Sequence, residues 1–89
     1  MKRVHLIISG IVQGVGFRHN ARRKARLMNL TGYCRNLPNA SVEIEAQGTT
    51  EELESFIHWA HHGPPDAIVE SVKQNVFDLI EKESVFEIR

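Results

Sequence analysis

Two periods run through the apolar positions of this chain. The segments RVHLIISGI, from Arg3, and SVEIEAQG, from Ser41, have strand-like patterns, and the second alternates strictly, with Val42, Ile44 and Ala46 on one face. Between them Phe17, Ala21, Ala25 and Met28 recur at helical spacing, while Arg22, Arg23, Lys24 and Arg26 fall mostly off that stripe. This predicts an amphipathic helix from about His19 to Asn29. TGYCRNL, from Thr31, reads as a second strand. After Gly48, Thr49 with Glu52 three positions on has the form of a capping box, and Leu53, Phe56, Ile57 and Ala60 make a second helical stripe that ends at Gly63. GPPDA interrupts the chain, IVESVKQNV supplies another strand, and VFEIR closes the sequence with a short one. The order is βαββαβ plus a short extra C-terminal strand. It predicts an α+β, ferredoxin-like sandwich: two helices on one face of a mostly antiparallel sheet. With no repeat, linker or low-complexity segment, residues 1–89 are expected to form a single domain.

Composition narrows the setting. Hydrophobic residues make up 42% of the 89, ordinary for a globular chain and too many for a disordered one. Cys34 is the only cysteine, which excludes an internal disulfide and points to a reducing compartment, so the expected location is the cytoplasm. Met1-Lys2-Arg3 followed by VHLIISGIV has the outline of a signal peptide, but His5 and Ser9 interrupt the apolar run and no small-residue cleavage site follows. No run approaches membrane-spanning length. The net charge is zero, yet up to Val42 there are eight cations and no Asp or Glu, whereas from Glu43 onward there are eleven acids and three cations. Either the two halves neutralise each other across the folded surface, or a positive field surrounds QGVGFR and draws in a small anion.

The stretch SGIVQGVGFRHN, Ser9 to Asn20, bears on that choice, because it falls between the first strand and the first helix. Glycines at positions 14 and 16 let the chain take positive φ and turn consecutive N–H groups toward one point, and the helix start adds unpaired donors and a favourable dipole. Such a loop can cradle an anion of phosphate size, and Arg18 can set two parallel donors on the same oxyanion. The stretch lacks the Gly-Lys-Ser/Thr of a nucleotide loop, and His19 stands where a dinucleotide fingerprint needs its third glycine. Glycine spacing alone equally allows a plain strand-to-helix turn with a surface arginine.

GIVQGVGFR closely resembles the signature of the acylphosphatases, small enzymes that hydrolyse carboxyl–phosphate bonds, and NLTGYCRN resembles their second signature, Gly-x-x-x-Asn. The resemblance extends through VEIEAQG, HGPPDAIVESV and the terminal FEIR, and so covers nearly the whole chain. It implies that the phosphate is bound by Gln13, Gly14, Val15, Gly16, Phe17 and Arg18 and that Asn36 orients the attacking water. Arg18 and Asn36 would be the catalytic pair. The reaction can do without the groups that are missing: a carboxylate leaving group has a conjugate acid with a pKa of about 4, so no general acid is needed. Phosphoryl transfer is loose, so fixed donors and a positioned water carry most of the catalysis. An asparagine amide has no useful proton affinity at neutral pH and can only hold the water. No cofactor or metal is implied. The expected partners are a small acyl phosphate and inorganic phosphate as product and competitive inhibitor, with no nucleic acid or membrane, for a monomer.

Two departures from the family pattern stand out. Asn39-Ala40 occupies the hairpin turn where Asp-Gly is usual, and an alanine in left-handed geometry costs ~1 kcal/mol, which predicts a turn of altered shape and a less certain place for Asn36. His19 follows Arg18 where an aromatic residue is often found. Cys34 has no phosphatase loop around it and reads as core. His58, His61 and His62 have a spacing that could catch a metal, but no carboxylate or cysteine nearby completes the set. Two other roles stay open. One is the acylphosphatase-like start of hydrogenase-maturation carbamoyltransferases, which continue into zinc-binding and larger domains. The other is a ferredoxin-like RNA-binding module, against which SVEIEAQG offers two glutamates and no stacking aromatic.

Overall fold

A computed structural model describes residues 1–89. The elements follow the expected order: β1 (Lys2–Ile11), α1 (Phe17–Leu27), β2 (Thr31–Asn36), β3 (Val42–Gly48), α2 (Thr50–Ala60), β4 (Ile68–Phe77) and β5 (Phe86–Ile88). They build one five-stranded sheet in the order β4-β1-β3-β2-β5, antiparallel except for the short β5, which runs parallel to β2. The two helices pack on one face of it, the ferredoxin-like arrangement predicted from the order of elements.

The alternation in the strands makes that face. Val4, Leu6 and Ile8 of β1 pair in register with Ala46, Ile44 and Val42 of β3, and all six side chains are fully buried. Phe17, Ala21 and Ala25 of α1 and Leu53, Phe56 and Ala60 of α2 close over them, with Phe56 also packed against Phe86 of β5. Burying each larger side chain contributes about 1.5–3 kcal/mol, whereas the alanines let the helices approach the sheet closely.

The first helix starts and stops two residues earlier than its stripe suggests. Gly16, at φ 79°, turns the chain directly into the helix at Phe17. At the other end Asn29 takes φ 57°, the Leu30 amide donates to the Ala25 carbonyl (2.9 Å), and the Asn29 amide donates to that of Arg26 (3.2 Å). This is a Schellman stop with asparagine in place of the usual glycine, sealed by the buried Leu30. The second helix begins as the capping pattern predicts. Thr49 Oγ1 accepts from the Glu52 amide (3.3 Å) and donates to Glu52 Oε1 (2.9 Å).

The other face of the sheet is polar and connected. Arg3, 1% exposed, donates to Glu45 (2.8 Å), Glu83 (2.7 Å) and Gln47 (3.3 Å). Tyr33 donates to Glu45 (2.6 Å), and Glu43 accepts from both Arg35 and His5. Gln47 exchanges two hydrogen bonds with the backbone of Ile80, so the segment between β4 and β5 lies strapped across this face. Cations of the first half thus meet acids of the second here, as one of the two charge readings requires, though of the eight only Arg3 and Arg35 take part, with His5 as a further hydrogen-bond partner of Glu43.

Candidate active site

β1 and β2 run in the same direction, each antiparallel to β3, so their C-terminal ends lie at one end of the sheet. The glycine-rich loop leaves β1 at that end. A register shift between Ser9 and Gly10 marks the departure, and Gly10 is required there: a Cβ would sit 2.1 Å from the Ile68 carbonyl oxygen of β4. Beyond it Gly14 and Gly16 take φ 75° and 79°, and a Cβ on Gly14 would meet nothing within 4 Å. The loop is therefore open to solvent on that side. None of the amides of Gln13, Gly14, Val15 and Gly16 donates to a backbone carbonyl, and those of Phe17, Arg18 and His19, in the first turn of α1, have no intrahelical acceptor. Seven consecutive N–H groups are available at a helix start with no acidic side chain in its first turn. Buried Val12 and Phe17 fix the loop at either end, Phe17 against the Trp59 ring (centroids 5.3 Å apart).

Arg18 is the second residue of α1. It is partly exposed, and its guanidinium makes no hydrogen bond or ion pair within the protein. Its carbonyl accepts from the Cys34 thiol (3.6 Å), which ties the first turn of α1 to β2. Asn36, the last residue of β2, pairs with Val42, itself paired with Ile8. Directly paired residues point to the same side of a sheet. Because Ile8 and Val42 face the helices, Asn36 does too. Its Oδ1 is buried without a hydrogen-bond partner, which costs about 1–3 kcal/mol in a site with nothing to bind. Arg18, the loop amides and Asn36 thus share one face and one end of the sheet.

The hairpin after Asn36 places its unusual alanine in the strained geometry expected of it. Ala40 takes left-handed geometry, φ 72°. Pro38 supplies a fixed φ, the Ala40 amide donates to the Leu37 carbonyl (3.2 Å), and the Leu37 amide donates to that of Ser41 (2.9 Å). Asn39 Oδ1 accepts from both the backbone amide and the hydroxyl of Ser41. Gln13 then bridges loop and turn: its Nε2 donates to the Leu37 and Ser41 carbonyls, both at 2.9 Å. The Gln13 side chain is thereby committed to the hairpin, leaving its backbone amide as the group that can face an anion.

Of the other candidates, Cys34 lies wholly inside the core, and burial pushes its thiol up to about 11 although Arg18 and Arg22 pull the other way. His19 is exposed on α1, its Nδ1 3.4 Å from Arg22. His58, His61 and His62 are exposed on α2 and beyond, and no three His, Cys, Asp or Glu side chains gather anywhere as metal ligands. Trp59 is half-buried between Phe17 and Phe56. The contacts that motif reading missed are the Gln13 bridge and the Cys34 thiol contact, one on each side of Asn36.

Comparison with known proteins agrees with this geometry. The family model described as acylphosphatase matches residues 4–88. An acylphosphatase of Caldivirga maquilingensis is 46% identical over 88 residues, covering 98% of this chain and 93% of its own. Among solved structures, the acylphosphatase of Bacillus subtilis superposes with a TM-score of 0.95 at 31% identity, over 100% of this chain and 99% of its own. HypF of T. kodakarensis contains the same fold, with a TM-score of 0.86 and 34% identity over 100% of this chain but only 12% of its own. With a family model spanning nearly every residue and a relative this close over nearly its full length, the chain belongs to the acylphosphatase family.

Proposed function

We propose that this site hydrolyses acyl phosphates to a carboxylate and inorganic phosphate, with the phosphoryl group held by the amides of residues 13–18 and the Arg18 guanidinium and the attacking water held by Asn36. The observation that carries this reading is the coincidence of three unsatisfied groups at one end of one face: the loop amides, the unpaired Arg18 and the buried, partnerless Asn36 Oδ1. The first two are donors suited to the equatorial oxygens of a phosphoryl group. The third belongs to a carboxamide that no group of the protein satisfies, a side chain that can hold a water without taking its proton. Water attacks phosphorus opposite the carboxylate, the P–O bond to the acyl group breaks, and the carboxylate departs with that electron pair. The proton lost by water goes to the phosphate product or to solvent, so no side-chain base is required.

The site also sets its own limits. It contains nothing that can protonate an alkoxide or phenoxide, so esters with poor leaving groups should be left intact. Assay of benzoyl phosphate beside p-nitrophenyl phosphate tests this, and the expected result is rapid turnover of the first and little of the second. Comparable rates would contradict the leaving-group argument. Because inorganic phosphate presents the same oxyanion face, it is expected to inhibit competitively and to shift the amide resonances of Gly14, Val15 and Gly16. The positive potential comes from Arg18 and the amides, so activity is expected to withstand strong chelators. We take the protein to act as a cytoplasmic monomer. Its only thiol is buried, and no helix is long and apolar enough to cross a membrane.

A further inference from the structure

We propose that His58 and His62, at the C-terminal end of α2, form a two-imidazole site for a late first-row divalent cation, Cu²⁺ above all. The chain keeps its helical turn through this end: the His61 amide donates to the Ile57 carbonyl (3.1 Å) and the His62 amide to that of Trp59 (2.9 Å). Side chains four residues apart therefore share one face. The His58 and His62 ring centroids stand 5.1 Å apart, their planes inclined by 59°. Two imidazole nitrogens at about 2.0–2.1 Å from one tetrahedral ion put their ring centres roughly 5 Å apart. The pair thus needs little movement to share an ion.

The tautomer of His62 is also set for the role. Its Nδ1 lies 3.1 Å from the His58 carbonyl oxygen. A carbonyl only accepts, so Nδ1 carries the proton, and in the neutral ring the lone pair is left on Nε2. Metal-binding histidines are commonly held in this way, by a hydrogen bond from the second ring nitrogen to a backbone carbonyl that fixes the ring. His58 is exposed and can turn its own lone pair toward the same point. No lysine or arginine occupies the last turn of α2, in contrast to Lys24 and Arg26 in that of α1, so the negative end of the macrodipole is open to a cation. Nitrogen ligands also select the metal. Mg²⁺ and Ca²⁺ take oxygen donors, whereas imidazole suits copper, nickel and zinc, of which copper binds most tightly. No third His, Cys, Asp or Glu joins the pair, so the other positions on the ion go to water or to donors of another molecule. The site is an exchangeable one on the surface, and it uses neither the phosphate loop nor Asn36.

Trp59, the only tryptophan, follows His58 directly and can report on the site. Bound Cu²⁺ is paramagnetic and should quench its emission saturably, with one ion per chain, while Mg²⁺ at the same concentration leaves the emission unchanged. His58→Gln and His62→Gln should each weaken the Cu²⁺ titration by at least about tenfold, the lower end of what losing even an outer-shell partner costs a metal site. His61→Gln removes the neighbouring imidazole, whose ring stacks with neither of the pair, and should leave the midpoint where it is in wild type. Absent or unsaturable quenching, the same midpoint in His58→Gln or His62→Gln as in wild type, or an equal loss in His61→Gln would each overturn the site. All three histidines are exposed, and circular dichroism checks that the variants keep the fold.

Discussion

At the scale of single residues, the proposed roles of Arg18 and Asn36 differ, and their variants should fail differently. If Arg18 holds the phosphoryl group, Arg18→Ala weakens phosphate binding and lowers kcat together, and Arg18→Lys does not rescue it, because an ammonium lacks the planar two-donor fork. If Asn36 only orients water, Asn36→Ala lowers kcat by roughly 10²-fold while phosphate affinity stays near wild type. Phosphate titration of both variants, beside benzoyl phosphate turnover, separates the roles, and near-normal turnover by Asn36→Ala would remove Asn36 from the mechanism. The motifs name both residues as candidates, and their shared end and face of the sheet followed from the order of elements. Gln13 was legible only as part of the loop. Its side chain reaches carbonyls 24 and 28 residues away, a pairing that no local pattern encodes. The Gln13 side chain thus ties the loop to the hairpin. Gln13→Ala removes two hydrogen bonds whose acceptors each keep a backbone partner, so the expected cost in stability is about 1 kcal/mol. Because the loop and the hairpin beyond Asn36 are then uncoupled, kcat should fall about tenfold, and a loss of stability with unchanged kcat would show the bridge to be purely structural.

Among the elements, existence and type followed from periodicity, and the ends of α1 did not. Its stripe runs through Met28, but backbone geometry at Gly16 and Asn29, rather than side-chain pattern, decides where its hydrogen-bond ladder opens and closes. The β2–β3 hairpin shows local geometry that side-chain pattern could name but not resolve. Alanine at position 40 suggested a distorted turn, yet two backbone hydrogen bonds, Pro38 and the Asn39–Ser41 contacts together hold Ala40 at φ 72°. The surroundings over-determine the conformation, and the strain stays in the alanine. Ala40→Gly should relieve it. Against the greater freedom that glycine has in the unfolded chain, the net gain is ~0.5–1 kcal/mol, or several degrees in Tm for a domain of this size. Thermal unfolding measures this directly. Since Ala40 already sits at a φ that glycine adopts freely, kcat on benzoyl phosphate should not change, and a large change would mean that Ala40 alters the setting of Asn36.

Over the whole molecule, the unequal charge of the two halves resolves into two parts that only the folded topology separates. Arg3, His5 and Arg35 lie on the polar face of the sheet and meet Glu45, Glu83 and Glu43, whereas the cations of α1 lie on the other side, beside the loop, and stay unpaired. Sequence could count the charges but not assign them, because assignment depends on strand register. The paired set governs stability in acid. Burial alone would raise the carboxyl of Glu43, but hydrogen bonds from His5 and Arg35 outweigh it and hold the group below its ordinary value. Glu45 behaves likewise, with burial opposed and overcome by Tyr33 and Arg3. Both groups therefore stay ionised in the folded state at pH values where the unfolded chain has begun to take up protons. The unfolded state binds more protons as pH falls, so the contribution of these carboxylates is fully present above the ordinary glutamate range, near pH 4.3, and is lost as pH drops through their lowered values. Urea midpoints measured from pH 6 to pH 2.5 should hold steady at first and decline below about pH 4.3. Glu45→Gln should be less stable than wild type at pH 6, since it leaves Arg3 short of a buried charge partner, and should lose less on acidification, the two curves converging at the acid end. Parallel curves would show that the acid sensitivity arises elsewhere than in the Arg3–Glu45–Tyr33 cluster.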